Sequence, residues 1–149
     1  MPVRTVVKVA VVMLFLIQAA SSQNIRFRGS DGWGLNSRYE HLFNINSQQD
    51  FRGVITGIDT VTPMPDMSYG IMMVVKSGFD EFAVHLGPAW YMLFQDFSLN
   101  PGEEIDIRGV RVSHAGKVFI MAIEIKSKDR ILRLRDNDGI PFWCAWRRR

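Results

Sequence analysis

Alternating hydrophobic and polar positions dominate the chain from residue 50 onward and predict a series of short β-strands. The first segment, FRGVITGIDTV, contains Gly53 and Gly57, where a strand can bulge or coil. YGIMMVVK and EFAVHLG predict two further strands joined by the turn SGFD. EIDIRGVRVSH and VFIMAIEIK predict another pair joined by the hairpin turn HAGK, and RILRLRD predicts a last short strand.

The hydrophobic period changes between the third and fourth predicted strands. In GPAWYMLFQDF the rings of Trp90, Phe94 and Phe97 are spaced by four and then three residues, and Pro88 suits a first helical turn. The order of three strands, a helix and two strands is typical of the OB-fold, a five-stranded barrel. We therefore predict an all-β fold with one short helix, built as a five-stranded OB-fold-like barrel over residues 50–126.

Segments without a regular period flank the predicted barrel. Residues 23–49 predict an irregular N-terminal arm, in which Trp33 could fill a hydrophobic groove or anchor a partner. Residues 127–149 contain the last strand and a tail rich in Trp and Arg. Because burial of each tail ring removes about 150–250 Å² from water, we expect the tail to be an aromatic strap over an open barrel end. A surface site for a partner and base stacking are the alternatives.

The first 22 residues predict a secretory signal peptide. MPVRTVVK is basic, residues 9–17 are apolar, and QAASSQ supplies small residues at a cleavage site after Ser22. An uncut membrane anchor is the alternative, but the apolar run is far shorter than the roughly 20 residues that span a bilayer. The mature chain would then start at Gln23, carry no transmembrane segment and be periplasmic or secreted.

The distribution of charge argues against a nucleic-acid-binding domain. The chain has 18 Lys and Arg residues against 15 Asp and Glu residues. Two basic residues belong to the leader and three are Arg147, Arg148 and Arg149, so the body has 13 basic and 15 acidic residues. A nucleic-acid-binding domain usually carries its basic excess as a patch on the fold. If the protein nevertheless binds polyanions, the candidate residues are Arg52, Lys76, Arg108, Arg111 and the three terminal arginines.

The chain resembles a group of small exported bacterial OB-fold-like proteins. The shared motifs are GWG in the arm, TPM…MSYG in a loop, VHLGPAW, and a closing LRD..G.P.W..W, found here at residues 32–34, 62–70, 84–90 and 134–146. Some members of the group are labelled DNA-binding because of their fold. The periplasmic OB-fold family of bacterial stress-tolerance proteins is similar in architecture, with less motif overlap. Neither resemblance implies a reaction.

No catalytic or metal-binding motif is present in the sequence. The chain lacks GxSxG, a phosphate loop and HExxH, which favours a non-enzymatic protein with no cofactor. RDNDG lacks the later acidic ligand of a calcium loop and predicts a tight turn instead. Three scattered histidines lack the spacing of a zinc site. The polar residues considered for chemistry are Tyr39, His41, His85, Asp96, His114 and Glu124.

A single cysteine excludes an internal disulfide, a CxxC redox pair and a CxxCH haem site. Cys144 is either a small buried hydrophobic residue or a surface thiol that pairs with another chain. We expect an exported binding module for an envelope protein or a small ligand, with a polyanion binder or a metal- or redox-associated accessory protein as alternatives. The candidate ligand- or partner-binding residues are His85, Trp90, Trp33 and Tyr69.

Overall fold

The structure is a computed structural model that describes residues 31–146. The predicted leader, the first residues of the arm, the side chain of Trp146 and Arg147–Arg149 lie outside the described residues. Six strands and a few short helices make up the fold. The elements are two 3₁₀ turns (Glu40–Leu42 and Ile45–Ser47), β1 (Gln48–Val61), β2 (Gly70–Ser77), β3 (Asp80–Pro88), α1 (Ala89–Met92), β4 (Glu104–His114), β5 (Lys117–Ser127), β6 (Arg130–Arg133) and α2 (Phe142–Trp146).

The six strands form one sheet that closes into a ring. Their order is β3-β2-β1-β4-β5-β6, and each neighbouring pair in this order is antiparallel. The ring closes through a parallel contact between β3 and β5, where Ala83 pairs with Phe119 and His85 with Met121. The predicted all-β, barrel-like fold is confirmed. Strand β6 extends the sheet beyond β5, and the short helices of the arm and tail add to the single predicted helix.

Irregular strand pairing on β1 and β4 coincides with a glycine in each strand. The pairing of β1 with β2 shifts between Ile55 and Gly57, which places a bulge at one predicted glycine. The pairing of β4 with β5 shifts between Arg108 and Gly109. A Cβ atom at Gly109 would lie only 2.6 Å from the Ile120 side chain. The strands approach so closely there that a side chain would force them apart.

The helix after β3 is shorter than its sequence pattern suggests. It occupies only Ala89–Met92, and its buried side chains are those of Ala89 and Tyr91. Leu93 and Phe94 are 69% and 73% exposed because the helix ends at Met92, whereas Trp90 and Phe97 pack partly against the core. The spacing of the aromatic rings therefore predicted a helix correctly but only part of its buried face.

Two predicted turns are confirmed in detail. Ala115 and Gly116 have φ angles of 50° and 75°, which joins β4 to β5 by a tight hairpin turn with both central residues left-handed. In RDNDG, Asp136 Oδ1 accepts hydrogen bonds from the backbone N–H groups of Asp138 and Ile140, each at 2.9 Å. This Asx turn reverses the chain and directs the tail back to the barrel.

The core fills the ring and continues under the arm and the tail. Its fully buried members include Ile55, Met73, Ile107 and Met121 from four different strands, together with rings from both flanking segments. Within residues 31–146, no helix is both long enough and apolar enough to cross a membrane.

Candidate functional site

The arm and the tail meet over the barrel at two buried tryptophans. Trp33 is 0% exposed and Trp143 is 1% exposed, and their rings meet edge to face at 6.2 Å. Trp143 Nε1 donates to the carbonyl oxygen of Trp33 at 2.9 Å. Gly70 and Gly87 leave room for the two indoles, since a Cβ atom there would lie 2.5 Å and 2.9 Å from the rings. At Trp143, therefore, the aromatic strap is a structural part of the core.

A buried ion pair ties the same two segments together. Arg135 donates from both terminal nitrogens to the Glu40 carboxylate, at 2.6 and 3.0 Å, and also to the Gly139 carbonyl at 3.1 Å. Their side chains are only 2% and 3% exposed. The guanidinium also lies 4.2 Å from the ring centroid of Phe43 and 5.3 Å from that of Trp143. This arm–tail junction (Trp33, Tyr39, Glu40, Arg135 and Trp143) holds the described parts of the arm and the tail on the barrel.

His85 lies inside the molecule, not in an open cleft. Its Nδ1 is 3.0 Å from the Tyr39 hydroxyl, its ring stacks on Phe119 at 4.1 Å, and it is 6% exposed. Burial lowers the pKa of His85 to about 4 and raises the pKa of Tyr39 well above its usual range. Both groups are therefore neutral at pH 7. An external ligand would reach this histidine only by displacing the arm.

The outer face of β1, β4, β5 and β6 carries charges of alternating sign, which we call the charge ladder. Each strand contributes residues that pair directly across the sheet with an opposite charge on the next strand. The ladder has two rows, the first Asp50, Arg108, Glu124 and Arg133 and the second Arg52, Asp106 and Lys126. The side chains between these positions, such as Ile105 and Ile107, point into the core.

Ion pairs within the ladder range from close to loose. Arg52 contacts Asp106 at 2.7 Å, and this contact lowers the pKa of the Asp106 carboxyl. Arg133 and Lys126 lie 3.3 and 3.7 Å from Glu124. Because most of these side chains are well exposed, each pair adds little to stability. The ladder matters more as a pattern of surface charge than as a source of folding energy.

A polar cleft of about 560 Å³ opens beside the first row of the ladder. It lies where the end of the arm, the sheet and the Asx turn come together. A second hollow of about 380 Å³ adjoins it and shares Arg108 and Glu124. The larger cleft is lined by Ile45, Gln48, Arg108, Ile123, Glu124, Arg133, Arg135, Asp136, Asn137 and Phe142.

The cations predicted for polyanion binding do not form one positive patch among the described residues. Arg52 and Arg108 lie in the ladder beside carboxylates. Arg111 lies over the Phe51 ring at 5.5 Å, and Lys76 is exposed on β2, opposite Glu81 of β3.

The four predicted partner-binding residues do not meet on one surface. Trp33 and His85 lie in the interior, Trp90 is half-buried, and Tyr69 is 53% exposed. Tyr69 lies near the start of α1, since its carbonyl accepts from the backbone N–H of Ala89 at 3.1 Å. Of the four, Tyr69 is the side chain most open to a partner.

The polar residues considered for metal binding do not lie close together in the structure. Within residues 31–146, no three His, Cys, Asp or Glu side chains lie close enough together to hold a metal ion. His41 and His114 are exposed, whereas His85 is enclosed. Cys144 is half-buried, with its sulfur 4.0 Å from the Trp33 carbonyl oxygen.

Sequence reasoning missed both the charge ladder and the buried ion pair. The ladder did leave a signal, because three strands each carry an acid and a base two positions apart: Asp50 with Arg52, Asp106 with Arg108, and Glu124 with Lys126. Such spacing places both charges on one face of a strand. Glu40 and Arg135 are 95 positions apart, and no local pattern links them.

A comparison with known protein families gives a match that covers the barrel. Residues 47–132 match the family described as the MamS/MamX magnetosome protein family. The match begins one residue before β1 and ends one residue before the end of β6, so it includes six of the seven ladder residues and leaves out Arg133. It covers more than half of the 149 residues. The family name differs from the groups that the sequence motifs resembled. No curated protein matches the chain. The chain belongs to the MamS/MamX magnetosome protein family.

Proposed function

We propose that this protein is a non-enzymatic accessory module of the cell envelope that binds a partner protein or a small ligand through the cleft beside the charge ladder. The cleft carries the proposal, because its polar walls come from four separate parts of the chain that the arm–tail junction holds in place. Its volume lies within the range of about 300–1,000 Å³ that is usual for ligand sites. Membership in a magnetosome protein family supports an accessory role.

The architecture supports an OB-fold-like binding barrel. The strand order, the parallel closure between β3 and β5, and the helix between β3 and β4 are the features expected of that fold. Barrels of this kind usually bind ligands on the face of the second and third strands and the loops beside it. The cleft proposed for this protein lies instead beside β4, β5 and β6. The position of His85 supports a non-enzymatic role, because the buried ring stacks on Phe119 away from the cleft.

The proposed envelope location depends on the leader and has its own test. We expect the mature protein to start at or near Gln23, because the basic, apolar and small-residue segments follow in the order of a signal peptide. N-terminal sequencing of the protein from its native host checks this. Recovery of intact Met1 in the cytoplasm would contradict export.

Site-specific photo-crosslinking tests the cleft. A photoreactive phenylalanine analogue replaces Asn137 at the cleft. In the control protein, the analogue instead replaces Phe79 at the β2–β3 turn, where the native ring is fully exposed. In the native host, we expect an adduct from position 137 and none from position 79, with its mass resolved by mass spectrometry. Absence of an adduct at the cleft, or equal adducts at both positions, would contradict the proposal.

The charge ladder disfavours the alternative of a polyanion-binding protein. A strand of phosphates laid along this face would meet Asp50, Asp106 and Glu124 as well as the cations. We expect only weak binding of single-stranded oligonucleotide, lost on deletion of Arg147–Arg149 and steeply weakened by salt. Fluorescence titration at two salt concentrations measures this. Tight binding at physiological salt without the three arginines would favour the polyanion function instead.

A further inference from the structure

Several hydrogen-bond donors that line the cleft have no hydrogen-bond partner among residues 31–146. Arg108 and Arg133 lie 3.6 and 3.3 Å from single carboxylate oxygens, but neither guanidinium forms a well-aligned hydrogen bond with another described residue. The side-chain amides of Gln48 and Asn137 also have no hydrogen-bond partner within residues 31–146. The buried Nε of Arg135 is likewise unpaired among the described residues. These groups leave several N–H donors available around one cleft.

The two carboxylates of the same cleft already have partners. Glu124 is 11% exposed and lies between the cations of Arg133 and Lys126. Asp136 accepts two backbone hydrogen bonds in the Asx turn. The exposed charged side chains that line the cleft are therefore the cations Arg108 and Arg133. A carboxylate complements these cations, because arginine binds carboxylates through paired N–H bonds.

An apolar surface borders these donors. Phe142 at the start of α2 is 39% exposed, and the half-buried Ile45 and the buried Ile123 also line the cleft. A ligand that also carries a hydrophobic group would cover this surface and remove it from water. The two kinds of contact together favour a ligand with a carboxylate next to an apolar group.

We infer that the cleft binds an acidic peptide segment of a partner protein, with an Asp or Glu carboxylate held by Arg108 and Arg133 and a neighbouring apolar side chain packed on Phe142. The inference rests on the proposed function and adds the chemistry of the partner. The two arginines are 45% and 69% exposed and flank the more buried Glu124, so their guanidinium groups are accessible to a ligand. The carboxylates of the ladder favour a peptide of mixed charge over a chain of phosphates.

Selection from a displayed library of short randomised peptides tests this chemistry. The bait is the protein purified from its native host, compared with an Arg108→Gln/Arg133→Gln variant. Arg38→Gln is the matched control, because Arg38 is 75% exposed and pairs with Asp66 outside the cleft. All three proteins should unfold at similar temperatures, since the substituted arginines are exposed. Fluorescence titration of the best selected peptides then measures affinity, with Glu-to-Gln peptides and an oligothymidylate for comparison.

We expect the wild type and Arg38→Gln to select peptides rich in Asp or Glu beside apolar residues. Loss of both cleft arginines, or of the peptide carboxylate, should weaken binding at least about tenfold. The inference is overturned if the selection shows no acidic preference, yields no binder, or gives the same peptides with the double variant. Oligothymidylate that binds as tightly as the peptides also overturns it. A photo-crosslink at the cleft together with a failed selection would overturn this inference and leave the proposed function standing, whereas absence of the crosslink would overturn both.

Discussion

The substitution Glu40→Gln probes the buried ion pair that holds the arm to the tail. The amide keeps the shape of the carboxylate and can still accept a hydrogen bond, but it removes the only negative charge paired with Arg135 among residues 31–146. The guanidinium would then remain 2% exposed, with the Gly139 carbonyl and two aromatic rings as its other contacts. A buried charge without its counter-ion strongly destabilises a fold.

The size of the effect follows from the burial of both partners. Removing one member of a buried ion pair costs about 3–5 kcal/mol, and we expect the lower end, about 3 kcal/mol, because Gln still accepts a hydrogen bond. Replacing both partners, as in Glu40→Leu/Arg135→Met, leaves no buried charge and should lie within about 2 kcal/mol of the wild type. The double variant should therefore be more stable than Glu40→Gln alone.

Urea unfolding followed by tryptophan fluorescence measures these differences. With a slope of about 2 kcal/mol per molar urea, Glu40→Gln should lower the midpoint by about 1.5 M. Asp66→Asn is the matched control, because Asp66 also pairs with an arginine but its side chain is 87% exposed, and its loss should change stability by less than about 1 kcal/mol. The reasoning is refuted if Glu40→Gln behaves like this control, or if the double variant is less stable than Glu40→Gln.

Three further predictions concern the interior. His85 has a folded pKa of about 4, below its usual 6.5, so the unfolded chain binds more protons between these values. The free energy of unfolding should fall by about 3 kcal/mol as the pH is lowered from about 6.5 to about 4. Urea midpoints that do not change with pH would contradict this. Trp143→Ala should cost about 3–5 kcal/mol in urea unfolding, and an unchanged midpoint would mean that the ring is not buried. Gly70→Ala should cost about 1–3 kcal/mol in thermal unfolding because its methyl group would overlap Trp33, whereas Gly57→Ala meets no atom within 4 Å and should be near neutral.

Much of the barrel could be predicted from local patterns. The alternation around Ile105 and Ile107 identified the buried face of β4, and the glycine of HAGK marked a tight hairpin. These features depend on neighbours one or two residues away, so a single sequence contains the information. The prediction of the buried face of α1 was incomplete for the opposite reason. The aromatic spacing assumed a helix of several turns, whereas contacts with Trp143 favour burial of Tyr91 in a helix of one turn.

The candidate site was much harder to predict than the fold. Arg108 and Arg52 were selected as cations, but their carboxylate neighbours come from other strands and depend on sheet register. His85 is a candidate binding residue by sequence, yet Tyr39 of the arm, 46 residues away along the chain, encloses it. Contacts of this kind arise only when the whole fold forms. They leave no pattern in the sequence that would reveal a burial partner.

The arm–tail junction also affects when the chain can fold. Glu40 contacts a residue 95 positions later, and Trp33 accepts a hydrogen bond from one 110 positions later. Proteins dominated by such distant contacts fold slowly, because a large loop must close before the contacts form. During synthesis, the barrel strands would leave the ribosome before the tail residues that pack over them had been added. The arm could then be sealed against the barrel only after Arg135 and Trp143 had been made.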